Sequence, residues 1–247
     1  GDHPNVAAAV VVGLGCEVNQ VSYYTRPEAT SDRRAPRRGF TLQESGGTRQ
    51  AIKDSIKAVW ELIDEVGRLE RVDCPVSKLM VALECGGSDA FSGVTANPAV
   101  GYCSDLLVKQ GGTVCLAETT EICGAEHLLT RRATDTKVGK DLLRMVEWYQ
   151  NYVAGFPNAP TFDSNPSPGN RAGGLTNIVE KSLGAVAKGG TSNLTAVYDY
   201  AERISKTGFV FMNTPGYDPT SVTGMAAGGC NVCFFTTGRR SCFGFPT

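Results

Sequence analysis

Short apolar runs alternate with longer segments of helical periodicity along most of the chain. Residues 6–12 are Val, three Ala and three Val, and such an unbroken apolar run is typical of a strand buried on both faces of a parallel sheet. Comparable runs predict further strands at residues 78–83, 113–117, 208–212 and 231–235.

Helical spacing connects these predicted strands. Within residues 48–66 one apolar stripe recurs at intervals of three and four positions, formed by Ile52, Ile56, Val59, Trp60 and Ile63. Similar patterns predict helices at residues 97–110, 121–132, 138–153, 173–187, 194–204 and 221–227. The alternation indicates an α/β fold with a doubly wound, mostly parallel sheet and helices on both faces. No linker interrupts the pattern, so a single domain over residues 1–247 is expected.

Composition and charge narrow the functional class. The chain has 247 residues, of which 41% are apolar and 20% charged, and its net charge of −1 gives no general attraction to nucleic acid. No apolar run approaches the roughly 20 residues needed to cross a bilayer, and no signal segment opens the chain, so a cytoplasmic protein without a membrane partner is expected.

The nine cysteines fit a reducing compartment. Cys230 and Cys233 form an isolated C-x-x-C, interpreted as core packing and not as a zinc or redox site.

Polar side chains follow each predicted strand, in residues 15–17, 84–89, 118–121, 213–218 and 236–239. Parallel strands share one direction, so these five loops are predicted to meet at one edge of the sheet in a single pocket. The richest loop, residues 84–98, places a thiol, two carboxylates, two serines and an amide before a helix start. Carboxylates, hydroxyls and cations together suit a small polyhydroxylated anion. A nucleotide is not favoured, because no P-loop motif occurs and the Gly13-Leu14-Gly15 turn lacks the third glycine of a dinucleotide fingerprint.

Two further segments leave alternatives open. Residues 165–170 form a rigid lead-in that would present Asn165, Ser167 and Asn170 at a helix N-terminus, although a plain turn fits as well. Glu180 and Lys181 are either an ordinary surface pair or part of the site. The arginine-rich run at residues 33–38 is either a solvated loop or a lid that draws in an anionic substrate.

Several long motifs resemble the altronate/galactarate dehydratase family. They are GLGCE from Gly13, ECGGSDAFSGVTANPAVGY from Glu84, ETTEICGAEHLLTRRA from Glu118, NPSPGNRAGGLTNIVEKSLGAVAKGG from Asn165 and FMNTPGYDPTSVTG from Phe211. Sulfolactate sulfo-lyase large subunits share this pattern, so the resemblance specifies the family better than the substrate. It implies a Rossmann-like catalytic domain and a hydro-lyase that converts a sugar acid to a 2-keto-3-deoxy acid. It also implies a divalent metal, with iron favoured as a mononuclear ion or a labile iron–sulfur cluster, and it is compatible with a homodimer.

The same resemblance implies roles by position. The metal ligands are expected among Cys16, Glu17, Cys85, Glu121 and Glu126. Lys181 is expected to act as the base or as a clamp for the substrate carboxylate, with Glu180 as its partner and Glu118 as a further catalytic group. Substrate contacts are expected from Ser88, Asp89, Ser92, Asn97, Asn165, Ser167, Asn170, Thr237 and Arg239.

Two departures from the family pattern qualify these expectations. Asn213 stands where family members usually have an aspartate, which weakens a metal or base role at that position. Family domains also extend beyond both ends of this sequence, so the chain is expected to be a fragment of a larger dehydratase. A sulfo-lyase that eliminates sulfite from sulfolactate is the first alternative function, and a structural or assembly domain with an incomplete catalytic site is the second.

Overall fold

The computed structural model describes residues 3–25, 35–156 and 164–245. The chain divides into two compact units, Gly1–Asp73 and Cys74–Thr247. The hydrophobic pattern predicts one domain because it continues across this boundary without a linker, whereas the contacts within the chain separate at Asp73. Among the residues described, none of the helices is both long and apolar enough to cross a membrane.

The described residues of the N-terminal unit form two parallel strands and two helices. Strand β1 (Ala9–Gly13) pairs with β2 (Arg37–Thr41), and helices α1 (Val21–Thr25) and α2 (Thr48–Val66) complete the unit. The predicted helix at residues 48–66 is confirmed, but its apolar stripe is not its buried face. Ala51, Ala58 and Leu62 are the buried residues of α2, while the predicted apolar stripe is exposed. Two alanines on the inner face let the helix approach its neighbours closely, which larger side chains would prevent.

The strand predicted at residues 6–12 differs from the observed one in place and surroundings. It begins at Ala9, has β2 as its only partner among the strands described, and leaves Val12 half exposed. It therefore does not belong to the main sheet. Strand β2 begins within the arginine-rich run at residues 33–38, at Arg37. The alternatives of a solvated loop or a lid for this run fall partly outside the described residues, since Arg33 and Arg34 are not among them.

The C-terminal unit is built on a five-stranded sheet in which every neighbouring pair is parallel. Its strands lie in the order β5-β6-β4-β3-β7. Their bounds are β3 Met80–Cys85, β4 Thr113–Leu116, β5 Leu194–Tyr198, β6 Gly208–Met212 and β7 Val232–Thr236. The chain leaves β3 toward β4 and later returns to the other side of β3 with β7, so the strand order reverses at β3. Ligands in open α/β sheets bind at such a reversal, beyond the carboxyl ends of the strands.

Helices cover both faces of this sheet, as the sequence predicts. They are α3 (Ala90–Val94), α4 (Ala96–Lys109), α5 (Glu126–Thr130), α6 (Thr136–Ala154), α7 (Pro168–Ala172), α8 (Ile178–Ala187) and α9 (Asp218–Gly228), with short 3-10 turns at Val76–Lys78 and Thr119–Glu121. Successive strand residues point to opposite faces. Leu83 and Phe211 therefore pack in a core with Leu142 of α6, while Val210 packs on the other face with Met225 of α9.

Several predicted helices differ from the observed elements. Residues 194–204 contain β5 rather than a helix, because Leu194, Ala196 and Tyr198 alternate inward with the period of a strand. The helix predicted at residues 121–132 begins only at Glu126, after a 3-10 turn. The helix predicted at residues 173–187 begins only at Ile178, as α8, and the short helix α7 precedes the predicted range. Asn177 starts α8 by accepting a hydrogen bond from the Glu180 amide at 2.9 Å, and this N-cap fixes where the following lysine lies.

Candidate active site

A cleft of about 540 Å³ opens at the carboxyl ends of the strands in the C-terminal unit. The loops after β3, β4 and β6 form its floor, and α6, α8 and the segment around Asn165 form its walls. Gly86 leaves room for the Asp218 carboxylate, which a Cβ at this position would meet. Gly87 has φ 59°, a left-handed conformation that glycine adopts without strain. These two glycines allow the loop after β3 to fold tightly against the cleft.

Lys181 is the central cation of the cleft wall. Its Nζ lies 2.7 Å from Glu121 Oε1, and it donates hydrogen bonds to Asn165 Oδ1 at 3.0 Å and Asn170 Oδ1 at 3.1 Å. The Asn170 amide in turn donates to the Ser88 carbonyl at 2.9 Å. An ammonium group has three N–H donors, and here each has an acceptor, so the charged side chain is held in one position.

Glu118 occupies a strained backbone conformation at the end of β4. Its φ of 67° and ψ of 78° lie in the left-handed region, which costs a non-glycine residue on the order of 1–3 kcal/mol. The conformation is supported by Thr214, whose hydroxyl accepts a hydrogen bond from the Glu118 amide at 2.8 Å and donates to Ser221 at 3.0 Å. Strain of this kind clusters at functional sites, because surrounding structure must maintain it.

Acidic groups crowd the floor of the cleft. Burial raises the pKa of Glu118 well above the ordinary carboxyl value, and the nearby negative charges of Glu84 and Glu121 raise it further. Burial also raises the pKa of Glu84, although Lys188 opposes the shift. The pKa of Asp218 is raised chiefly by burial as well. Protonated carboxyl groups are therefore favoured in this cluster when nothing else neutralises it.

Lys188 lies beneath the same floor and is only 1% exposed. It follows the last residue of α8, and its Nζ is 3.0 Å from Cys85 Sγ. Burial alone would lower the pKa of Lys188, but the charges of Cys85, Glu84 and Glu118 outweigh it and the net shift is upward. The ammonium form is thus the one that the site holds.

One corner of the cleft has the geometry of a cation site. Cys85 and one oxygen each from Glu118 and Glu121 lie within 4.8 Å of one another, and a second group of the same size consists of Glu84, Glu118 and Asp218. Both Glu118 Oε2 and Glu121 Oε2 are buried without a hydrogen-bond partner among the residues that the structure describes. A buried, unpartnered carboxylate oxygen is costly unless a cation or proton satisfies it. Thiolate and carboxylate donors together fit a transition metal better than a hard alkaline-earth ion.

Two family descriptions match the chain. Residues 76–247 match "D-galactarate/Altronate dehydratase, C-terminal", and residues 1–67 match "D-galactarate dehydratase/Altronate hydrolase, second domain". The chain belongs to the D-galactarate/altronate dehydratase family. The resemblance predicted from its motifs is therefore confirmed. The boundary between the two matches also falls close to the boundary between the two compact units.

Individual relatives of this dehydratase family align along nearly the whole chain. Galactarate dehydratase (L-threo-forming) of Escherichia coli (strain K12) is 42% identical over 98% of this chain and 47% of its own length. Altronate dehydratase of Bacillus subtilis (strain 168) is 38% identical over 98% of this chain and 48% of its own. The (2R)-sulfolactate sulfo-lyase subunit beta of Chromohalobacter salexigens is 34% identical over 100% of this chain and 62% of its own. The chain spans about half the length of the dehydratases it matches.

Eight of the residues predicted from the family motifs line the cleft together. They are Cys85, Ser88, Glu118, Glu121, Asn165, Ser167, Asn170 and Lys181. The sequence predicts no site role for Lys188, and it indicates Glu84 and Asp218 only as parts of strand-end loops. In the sequence, Lys188 directly follows the helix predicted at residues 173–187. The feature that could have placed it at the site is its position seven residues after Lys181.

A second group of predicted substrate residues is engaged in local structure. The Asp89 carboxylate accepts a hydrogen bond from the Ser92 amide at 2.7 Å, and the Ser92 hydroxyl accepts one from the Asp89 amide, so the pair forms a capping box on α3. Asn97 donates to the Gly184 carbonyl and accepts from the Thr236 hydroxyl. Together with Glu180, these residues line a smaller cavity of about 320 Å³ that shares Cys85, Ser88 and Lys181 with the cleft.

The predicted partnership of Glu180 with Lys181 is not observed. The Glu180 carboxylate accepts from the Thr176 amide and hydroxyl, both at 2.7 Å, because it lies in the first turn of α8 and reaches back over the helix start. Its pKa is lowered by these hydrogen bonds. Lys181 pairs with Glu121 instead.

Three other predicted residues lie outside the cleft lining. Glu126 accepts from the Gly124 amide at 2.9 Å in the first turn of α5. Thr237 and Arg239 are exposed in the loop after β7, where the Arg239 guanidinium donates to the Gly169 carbonyl at 2.7 Å. Asn213, the departure from the family pattern, accepts from the Thr119 hydroxyl at 2.6 Å.

Cys16 and Glu17 belong to the N-terminal unit. Because β1 pairs with β2 and not with the strands of the main sheet, these two residues do not follow a strand of the same sheet as Cys85. Their role as metal ligands stays a prediction of the family resemblance. Cys16 is an exposed free thiol. The Glu17 carboxylate accepts from the Leu14 amide at 2.8 Å and the Gly15 amide at 2.5 Å, so backbone hydrogen bonds lower its pKa.

Proposed function

We propose that the protein is a hydro-lyase that dehydrates a sugar acid of the altronate or galactarate type to a 2-keto-3-deoxy acid. The observation that carries the proposal is the cleft in which the fixed ammonium of Lys181 stands beside Cys85, Glu118 and Glu121. Two relatives in the family are named for dehydration of galactarate and altronate, which supports the same reaction class here.

The reaction requires positive charge near the substrate carboxylate. A proton α to a carboxylate is weakly acidic, and its removal places a second negative charge on the resulting enediolate. Lys181 supplies such a charge at a fixed point. An ammonium group has no lone pair, so a role as base would require Lys181 to lose a proton first, whereas a role as carboxylate clamp uses its charged form. A substrate carboxylate would replace one of the three acceptors that now surround Nζ, and we therefore favour the clamp among the two predicted roles.

Proton transfer needs a second group in the cleft. Asp218 lines the cleft, and burial raises its pKa, which brings a carboxyl group closer to the range in which it exchanges protons at neutral pH. We assign to Asp218 the removal of the α-proton or the protonation of the departing β-hydroxyl. Ser88, Asn165 and Asn170 would then hold the sugar hydroxyls through their polar side chains.

Cys85, Glu118 and Glu121 would hold a divalent metal, and the mixed sulfur and oxygen donors favour iron. Such an ion, when bound, supplies Lewis-acid charge stabilisation next to the enediolate. Among the cleft-lining residues that the structure describes, Cys85 is the single thiol, which favours a mononuclear ion over an iron–sulfur cluster. The protein's own contribution is to bury these donors and hold Glu118 in its strained conformation.

A substrate panel tests the proposal. The purified protein, supplied with Fe²⁺ and a reductant, is offered galactarate, altronate and related sugar acids, and 2-keto-3-deoxy acid formation is measured. Lys181→Met is expected to abolish turnover, and Glu180→Gln, a change in the adjacent residue outside the proposed ion pair, serves as its control. Absence of 2-keto acid from every substrate would refute the dehydratase assignment.

The sulfo-lyase is the second candidate, because a sulfolactate sulfo-lyase subunit aligns over the whole chain at 34% identity. Elimination of sulfite from sulfolactate would likewise need stabilisation of negative charge next to a carboxylate, with sulfite as the leaving group. Sulfite release from (2R)-sulfolactate distinguishes it from dehydration. Binding of metal without turnover of either substrate class would favour the third alternative, a domain with an incomplete catalytic site. The homodimer stays a prediction, to be checked by light scattering of the protein in solution.

A further inference from the structure

Lys188 is a buried charge that the proposed reaction does not use directly. The side chain is 1% exposed and does not line the cleft, so it cannot touch a substrate there. Its backbone carbonyl accepts a hydrogen bond from Ser104 at 2.8 Å, which fixes the turn that follows α8. Its Nζ reaches Cys85 Sγ at 3.0 Å. Burying an ammonium group is expensive unless it is paired, so this contact needs an explanation.

One explanation is that Lys188 merely neutralises Glu84. The Glu84 carboxylate is fully buried, and Lys188 is the cation that acts on it. Yet the hydrogen bond of the ammonium goes to the Cys85 sulfur, while Glu84 Oε1 accepts from the Cys85 amide at 3.1 Å. Glu84 Oε2 has no hydrogen-bond partner within normal distance among the described residues. A group whose function was to satisfy Glu84 would be expected to bond to that open oxygen.

We propose that Lys188 is a positioning residue that fixes the Cys85 sulfur in the cation-binding corner formed with Glu118 and Glu121. The inference rests on the proposed function, because it assumes that this corner holds a divalent metal. Groups that hydrogen-bond to metal ligands orient them, and their loss typically weakens metal binding by about 10–100-fold. Cys85, Glu118 and Glu121 all line the cleft, whereas Lys188 contacts the Cys85 sulfur without lining it.

The test measures Co²⁺ binding, because a thiolate ligand of Co²⁺ gives a charge-transfer absorption in the near ultraviolet that reports the Cys85 sulfur itself. Lys188→Met alone leaves Glu84 without its counter-ion and risks unfolding, so the comparison is made in the Glu84→Gln background. Glu84→Gln is compared with Glu84→Gln/Lys188→Met, and both are compared again after Cys85→Ala. Lys137→Met, on an exposed lysine of α6, controls for loss of a positive charge.

We expect the Lys188→Met change to weaken Co²⁺ binding by about 10–100-fold and to reduce the thiolate absorption. The same change should have no effect once Cys85 is alanine, because Lys188 then has no sulfur to position. Lys188→Gln, which retains an N–H donor, should recover part of the affinity. Far-ultraviolet circular dichroism and thermal melting establish that each variant is folded.

Three results would overturn the inference. Equal Co²⁺ affinity with and without Lys188 would make it a simple counter-ion of Glu84. A loss that persists after Cys85→Ala would show that it acts through another group. Failure of the wild-type protein to bind Co²⁺ at Cys85 would remove the cation corner itself. Turnover is measured separately. If Co²⁺ is bound through the Cys85 thiolate but no sugar acid is dehydrated, the proposed function is refuted, while the inferred role of Lys188 in positioning the sulfur is still supported.

Discussion

Replacing Glu118 by glutamine is expected to stabilise the metal-free protein while impairing its function. Glu118 is 2% exposed and stands next to the carboxylates of Glu84 and Glu121, and within the described part of the chain its Oε2 has no hydrogen-bond partner. Glutamine has nearly the same shape, carries no charge, and offers an N–H₂ group to the neighbouring carboxylates. The change therefore removes a source of repulsion without opening a cavity.

The size and sign of this effect follow from the burial of the carboxyl group. An unsatisfied buried polar atom costs about 1–3 kcal/mol, and 1 kcal/mol shifts Tm by roughly 2–4 °C in a domain of this size. The pKa of Glu118 is higher in the folded protein than in the unfolded chain. Its favourable contribution is thus complete below the unfolded pKa and is lost as pH rises through the folded value. The advantage of glutamine should be small near pH 4 and grow toward alkaline pH.

Thermal melting between pH 4 and pH 9, with chelator present, measures this difference directly. Glu147→Gln provides the matched control, because Glu147 is exposed on α6 and its replacement should change the free energy of unfolding by less than about 0.5 kcal/mol at any pH. Turnover and Co²⁺ affinity should both fall in Glu118→Gln. A Tm that drops at every pH, or a difference that does not vary with pH, would refute the account of Glu118 as a strained functional acid.

Three further predictions concern the walls and supports of the cleft. Lys181→Met should lower turnover by about 100-fold or more, whereas Glu180→Gln should stay within a few-fold of wild type in the same assay. Asp89→Ala should reduce the free energy of unfolding by about 1 kcal/mol in urea titrations, because it removes the cap of α3; a large loss of substrate affinity at unchanged stability would contradict this. Thr214→Val should cost about 1–3 kcal/mol by leaving the Glu118 amide unsatisfied, and unchanged melting would count against that hydrogen bond.

The sequence predicted the α/β architecture and most of the cleft because both depend on strong local signals. Long periodic segments specify their own helices, as in α2, whose predicted and observed bounds coincide. Loops that follow the strands of one parallel sheet emerge at the same edge, so the sequence predicts that Cys85, Glu118 and their neighbours lie close together. This prediction requires only that their strands belong to the same sheet.

The sequence does not show which strands share a sheet, and this explains the predictions that the structure corrects. An apolar run indicates a strand but not its partner, and residues 6–12 were assigned to the main sheet although β1 pairs with β2. The expectation that Cys16 and Glu17 share a sheet edge with Cys85 depended on this assignment, and their role at a metal stays a prediction of the family resemblance. Residues 194–204 were ambiguous for a related reason: Leu194, Val197 and Tyr198 fit helical spacing, and only the packing of β5 against β6 decides for a strand.

The spacing of two lysines along the sequence also indicates the site, independently of the residues at the strand ends. Lys181 and Lys188 are seven residues apart, which is nearly two helical turns, so α8 presents both cations to the same side. Lys181 lies in the cleft wall against Glu121, and Lys188 lies beneath the floor against Cys85.

The acidic groups near these two lysines outnumber them. They are four carboxyl groups and a thiol, contributed by Glu84, Glu118, Glu121, Asp218 and Cys85. Two ammonium groups cannot neutralise five ionised acids. The cluster must therefore retain protons, as the raised pKa of Glu118 indicates, or exchange them for a divalent cation, and the same excess of acid that destabilises the empty cleft would make it bind one.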